Sequence, residues 1–183
     1  MSKRISFGLV SFLFFSLAVP AVQLVEDGQT SYGVQLPEAP LALERLALQE
    51  LQDYLKKSTG VEFSEKKADK QIVLKRDHQL EAQESEVRVD GDHLILSGGD
   101  EWGVLYAVYA FLENQLGIRW FSAYGDERVP KHPSLTLDFK AYRQKPAFPK
   151  RGLIGSSYYK FPFSSMFFLR NRLNICNSLE NPA

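Results

Sequence analysis

The chain has 183 residues, 44% of them hydrophobic, with 22 Lys plus Arg set against 22 Asp plus Glu. Balanced charge gives no electrostatic reason to expect nucleic acid as a partner. One Cys excludes an internal disulfide and a thiolate-rich zinc site, so stability must come from an ordinary apolar core, for which there is material for one domain.

In chain order, Lys3 and Arg4 precede an apolar run from Ile5 to Val19 and the small-residue site Val19-Pro20-Ala21. This reads as an export signal over residues 1–21, cleaved after Ala21, with a periplasmic or extracellular destination. The run is close to the ~20 residues of a bilayer-spanning helix, so an uncleaved membrane anchor is the alternative. Ser6, Gly8, Ser11, Ser16 and Pro20 lower its hydrophobicity and argue against the anchor. Cleavage leaves 162 residues and removes two cations and no acid, so 20 Lys plus Arg face 22 Asp plus Glu, a charge of −2.

After Pro40, Leu43, Ala47, Leu51 and Leu55, with Leu46 and Tyr54, recur at spacings of three and four and predict an amphipathic surface helix packed on a flat layer. Glu44 in its first turn and Lys56 and Lys57 in its last suit the helix dipole, and Gly60 supplies the stop. The β-branched run in Gln71 to Lys75 predicts a strand. Val87 and Val89 alternate with charged residues, and Asp90-Gly91 leads into Leu94-Ile95-Leu96, the pattern of a hairpin with a type I′ turn.

Asp100 is placed to cap a second helix reaching Leu116, with Gly117 ending it. Leu105, Val108, Leu112 and Leu116 form one face, and Val104, Phe111, Tyr106 and Tyr109 extend it around the circumference, so burial on more than one side is expected. Ile118 to Phe121 and Ser134 to Phe139 read as further strands. The fold class is therefore α/β (α+β): a mixed β-sheet with two main helices packed on it, over residues 22–142. Pro146 and Pro149 mark a linker over 143–149. Residues 150–183, with a strand expected from Arg151 to Tyr159 and a helix from Phe167 to Asn174, read as the opening of a second domain cut short. On that reading Phe161, Phe163, Met166, Phe167 and Phe168 form an exposed apolar surface, and 150–183 is loosely packed.

Three segments carry a family resemblance as a set: Glu50-Leu51-Gln52-Asp53-Tyr54-Leu55 to Thr59-Gly60, Trp102-Gly103-Val104-Leu105-Tyr106-Ala107, and Leu116-Gly117-Ile118-Arg119-Trp120-Phe121. Together they resemble the N-terminal domain of family 67 α-glucuronidases, a type similar to the second domain of family 20 β-N-acetylhexosaminidases, over residues from about 29 to 139. The resemblance implies a small sheet with helices on one face and a scaffold role, with catalysis in a following (β/α)₈ barrel and no cofactor. Arg151-Gly152-Leu153 and Arg170-Asn171-Arg172-Leu173-Asn174 resemble the first strand and helix of that barrel, and by the same resemblance Arg151 is the candidate sugar-contacting residue. The implied function is a non-catalytic accessory domain of an exported glycoside hydrolase acting on glucuronic-acid-bearing polysaccharide such as xylan. Its partner would be the barrel of the same or a longer polypeptide, and polysaccharide is a possible second one. A stand-alone carbohydrate-binding module and the N-terminal domain of a β-N-acetylhexosaminidase-type enzyme are the alternatives.

The remaining chemistry-bearing residues give weaker patterns. Glycoside hydrolysis needs two carboxylic acids flanking the bond. Glu44, Glu50, Glu86, Asp100 and Glu113 sit on helix faces or element ends, where capping, pairing or solvation is expected. The run from Ser97 to Gly103 has glycines before a helix, but lacks the Gly-Lys-Ser/Thr ending of a phosphate loop, so a capped strand-to-helix turn is expected. His78, His93 and His132 lack metal-ligand spacing, so no metal site is expected. Gly155-Ser156-Ser157 is not a nucleophile elbow, and Cys176 has no assigned base. Arg119-Trp120-Phe121 has the composition of a sugar-stacking patch, although core packing is expected for Trp120.

Overall fold

A computed structural model describes residues 21–152 and 164–174. Strands β1 (Val22–Val25) and β2 (Tyr32–Gln35) precede helix α1 (Ala42–Thr59), and β3 (Lys70–Arg76), β4 (Ser85–Asp90) and β5 (His93–Gly98) precede helix α2 (Glu101–Gln115). The chain continues through β6 (Arg119–Trp120), β7 (Glu127–Arg128), β8 (Leu135–Leu137), β9 (Ala141–Gln144) and α3 (Ser164–Arg170). The main sheet has the order β2-β3-β5-β4-β9, with β2, β3 and β5 parallel and β4 antiparallel to both its neighbours. Two ribbons, β1 with β8 and β6 with β7, flank it. The predicted class, a mixed sheet with two main helices, is the observed one.

Alternation assigns the two faces of the sheet. Ile72 and Leu74, Leu94 and Leu96, and Val87 are buried on the inner face. On the outer face the register places Lys75, Ser97, Glu86 and Arg143 in one row, with Arg143 Nε 2.7 Å from Glu86 Oε1. Helix α2 lies against β3, β4 and β5 on one side and against α1 on the other. Residues 103–112 are all buried, as an almost entirely apolar circumference predicts. The flat layer expected under α1 is therefore in large part α2. Buried Ala47, Leu48, Leu51, Tyr54 and Leu55 form the inner stripe of α1, while Leu43 and Leu46, expected on it, are only partly buried.

The passage from β5 into α2 requires glycine for space. A Cβ on Gly98 would lie 2.1 Å from Gly103 C, and one on Gly103 would lie 2.4 Å from the Glu84 carbonyl oxygen. Asp100 closes this turn as expected, its Oδ1 accepting from Gly103 N at 2.8 Å and also from Gln83 N at 3.0 Å. The glycines thus let the helix start pack against the strand end.

The β4–β5 hairpin forms, but its turn is displaced by one residue. Asp90 pairs with His93, so the central residues are Gly91 and Asp92 rather than Asp90 and Gly91. Only Gly91 has positive φ, at 58°, the pattern of a type II′ turn and not the expected I′. Strands β1, β2 and β7 escaped the sequence reading. β1 and β2 are four residues each and β7 two, too short for alternation to emerge. β9 crosses the expected boundary at 142/143 and is the edge strand of the sheet.

The largest departure concerns the segment beyond the linker. Leu169 is 1% exposed and belongs to the main core, Phe168 is buried, and Met166 and Phe167 pack against that core, so this part of the expected apolar surface is covered. α3 spans Ser164–Arg170 rather than 167–174, and Arg151 and Gly152 form no strand. Residues 1–20, 153–163 and 175–183, with the export signal, Phe161, Phe163, Gly155-Ser156-Ser157 and Cys176, lie outside the described residues.

Candidate functional site: an arginine seam across the two helices

On α2, Tyr106, Tyr109 and Glu113 stand at i, i+3 and i+7, and on α1 Glu50 and Tyr54 stand at i and i+4. Both spacings put their members on one helix face. Arginines from the C-terminal segment lie along this ridge. The Arg170 guanidinium donates through Nε to Glu50 Oε2 at 2.7 Å and through Nη2 to Glu50 Oε1 at 2.9 Å. It also lies 5.3 Å from the centre of the Tyr54 ring and 5.9 Å from that of Trp120. Arg172 pairs with Glu113 and lies 5.9 Å from the Tyr109 ring centre. Arg151 lies 5.4 Å from the Tyr106 ring centre. Three cations therefore meet three tyrosine rings, and two of them also meet a carboxylate. Planar guanidinium suits both kinds of contact.

Arg151, the expected sugar contact, is held inside this seam. Its Nη2 donates to the Tyr106 hydroxyl at 2.8 Å, Nη1 to Gln83 Oε1 at 2.8 Å and to the Phe148 carbonyl, and Nε to the Arg172 carbonyl at 2.7 Å. Four of its five N–H groups are thus engaged within the chain. Asn174 completes the junction, accepting from Arg151 N at 2.8 Å and donating to the Pro149 carbonyl at 2.7 Å. Arg151, Arg172, Tyr106, Gln83 and Gln144 line an adjoining cleft of ≈ 390 Å³.

Burial governs the titration of this cluster. It pushes the Tyr106 phenol up to about 12 against the opposing effect of Arg151, and pushes Tyr109 well above its ordinary value. Tyr54 is raised by burial and by donating to Glu127, while Trp120 Nε1 donates to the Tyr54 oxygen at 2.7 Å. Burial would raise Glu127, but hydrogen bonds from Tyr54 and Lys57 outweigh it and hold the carboxyl below its ordinary 4.5. Burial would likewise lower Arg170, but its hydrogen bonds to Glu50 and the charge of that carboxylate outweigh it and raise the guanidinium. Arg170 is therefore a permanent cation.

The other candidates resolve into structure. Glu44 is fully buried, caps α1 by accepting from Leu41 N at 2.7 Å and lies 2.9 Å from Arg76 Nε. With Glu50 on Arg170 and Glu86 on Arg143, each buried glutamate faces an arginine. His93 Nδ1 accepts from Gln71 N, His132 Nε2 meets the Leu116 carbonyl, and among the described residues no group of His, Cys, Asp and Glu is arranged to hold a metal. Trp120 is buried, as expected for core packing, and Arg119 donates to the Glu113 and Ile118 carbonyls. Sequence reasoning counted Tyr106 and Tyr109 as apolar extension of α2 and missed the seam. The available signal was phenols, each carrying a hydroxyl that needs a partner, on a helix otherwise too apolar to need them.

No family profile matches the sequence, and no curated protein matches it. Solved structures do. A family GH115 4-O-methyl-α-glucuronidase with specificity for decorated arabinogalactans superposes with a TM-score of 0.59 at 15% identity, covering 84% of this chain and 25% of that one. The fold is one that glycoside hydrolases carry. The GH20 exo-β-N-acetylglucosaminidase of Vibrio harveyi gives 0.50 at 17% identity, over 72% of this chain and 18% of that one. A mutant β-hexosaminidase of Streptomyces plicatus gives 0.51 at 10% identity, over 72% and 24%. This chain thus spans about a quarter or less of the length of these glycoside hydrolases.

Proposed function

We propose that this chain is the non-catalytic N-terminal accessory domain of an exported glycoside hydrolase, and that its residues from 150 onward begin the catalytic barrel that the domain supports. The seam carries this reading. Three arginines that follow the sheet domain dock on side chains of α1 and α2, which is how a scaffold would grip the first elements of a neighbouring domain. The buried carboxylates support it too. Each is engaged by an arginine, whereas hydrolysis needs two carboxylic acids flanking the bond with one of them free to reach the leaving group. In this reading Arg151 is a positioning residue of the junction, and only its fifth N–H remains for a sugar hydroxyl.

An α-glucuronidase-type enzyme of xylan breakdown, as in family 67, is the assignment we favour. The three-segment resemblance supports it, as does a fold shared with an α-glucuronidase. The fold shared with β-N-acetylhexosaminidases favours a barrel of that type as the second reading. Export with cleavage after Ala21 accords with the position of β1. Its first residue, Val22, pairs with Leu137 and is buried, so a cleaved chain would keep the whole of this strand.

The test is to probe cell fractions with an antibody raised against residues 22–144 and to assay the captured protein on aldouronic acids and aryl β-N-acetylhexosaminides. The expected result is an exported polypeptide well above 20.8 kDa that hydrolyses one of the two, while the purified 183-residue chain hydrolyses neither. Turnover by the purified chain, or a native product no larger than 20.8 kDa, would overturn the proposal.

A further inference from the structure

We infer that the turn over residues 81–84, between β3 and β4, is a latch. It is seated on the start of α2, and its Gln83 side chain fixes the direction in which the chain leaves the sheet domain at Arg151. The Glu84 carbonyl accepts from Gly99 N at 3.1 Å and Gln83 N donates to Asp100 Oδ1 at 3.0 Å, so the residue that caps α2 also holds the turn. The turn is closed on itself as well, with Glu84 N donating to the Glu81 carbonyl at 3.0 Å and Glu81 N to Glu84 Oε2 at 2.9 Å.

The backbone of this turn is strained. Gln83 has a φ of 62°, a left-handed conformation that is costly for a residue with a Cβ and is adopted mostly by glycine. Such a conformation persists only where the surroundings over-determine it. Among the described residues three other than glycine have positive φ, and two of them, Gln83 and Arg172, hold Arg151. Arg151 Nη1 donates to Gln83 Oε1 at 2.8 Å, and Arg151 Nε donates to the Arg172 carbonyl at 2.7 Å.

Both ends of the Gln83 amide are engaged beyond the turn. Nε2 donates to the Pro149 carbonyl at 2.9 Å, and Oε1 accepts from Asn174 Nδ2 at 3.3 Å as well as from Arg151. An amide turned the other way would set an N–H against a guanidinium, so its orientation is settled. One side chain thus gathers residues 149, 151 and 174 onto a turn anchored in the body. Glycine would suit this backbone better but could make none of these three bonds, so the strain serves the junction and not the turn. The latch consists of bonds within this chain and needs neither a barrel nor hydrolysis. Under the accessory-domain reading, it sets the angle at which the barrel begins.

The test is hydrogen exchange and denaturant unfolding of the 183-residue chain carrying Gln83→Gly or Gln83→Asn. Glycine relieves the backbone and removes the side chain. Asparagine tolerates the left-handed conformation and keeps the amide, but one methylene short of its partners. Arg151 N and Asn174 N report on the junction, because the first donates to Asn174 Oδ1 at 2.8 Å and the second to the Arg151 carbonyl at 2.9 Å. In both variants exchange at these two amides should quicken by about tenfold or more, as expected when the net stabilisation of at least one hydrogen bond is lost from a local opening. Exchange in β3 and β5 should not change. The denaturant midpoint should stay the same in Gln83→Asn and stay the same or rise in Gln83→Gly. Unchanged exchange at Arg151 and Asn174 would overturn the latch. So would a lowered midpoint with exchange quickened throughout, which would make Gln83 an ordinary part of the body.

Discussion

The body of the molecule and its C-terminal seam are held by different physics. In the body, α2 is sandwiched between the sheet and α1, and its stability comes from many apolar contacts whose positions follow from periods of two and 3.6. In the seam, Arg151, Arg170 and Arg172 join elements far apart in the chain, with Arg170 and Glu50 separated by 120 residues. A few partly buried, oriented contacts therefore add to the apolar packing of Phe168 and Leu169 in seating α3 on the domain. Apolar packing tolerates local rearrangement, whereas a half-buried ion pair that loses one member leaves a charge without compensation. The seam is where this protein is easiest to open without unfolding it.

Three substitutions test that contrast. Leu105→Ala removes a fully buried side chain of α2 and should cost about 2–5 kcal/mol, lowering the denaturant midpoint for every probe together. Glu50→Ala strands the Arg170 guanidinium. The pair is part-exposed, 6% at Glu50 and 21% at Arg170, so the cost should fall below the about 3–5 kcal/mol of a fully buried pair and be nearer about 2 kcal/mol. Hydrogen exchange should quicken at residues 166–170 and stay unchanged in β3 and β5. Equal acceleration in both places would mean that seam and body form one cooperative unit. The smallest effect belongs to Glu127→Gln. The carboxyl of Glu127 is held below 4.5, so its stabilising contribution is complete above that pH and fades as pH falls through the depressed value. The variant should lose that portion of the acid dependence, a change of under about 1 kcal/mol at neutral pH, since the Lys57 partner is half exposed.

Legibility in the sequence followed the same division. Helices α1 and α2 were readable because 18 and 15 residues repeat their apolar pattern often enough to outweigh exceptions. The hairpin was readable from alternation plus a glycine turn, but its centre was not, because backbone pairing fixes which two residues are central. β1 and β2 were missed because four residues give two alternations at most, and their partners β8 and β3 lie well downstream. The candidate site was only half legible. Arg151 was singled out from a motif, while the rings and carboxylates that meet the three arginines lie on two helices whose mutual orientation no sequence spacing encodes.

By itself, then, the sequence determined the fold class, the two long helices, the central strands and the capped turn into α2, since each depends on side-chain periodicity or on the conformational limits of a few residues in a row. Tertiary structure alone decided that α2 lies between α1 and the sheet and that β9 closes an edge. It also decided that Tyr54, Tyr106 and Tyr109 face arginines from the end of the chain. Those outcomes depend on which faces meet across the fold, and a local pattern specifies that a face is apolar or polar but not what it will meet.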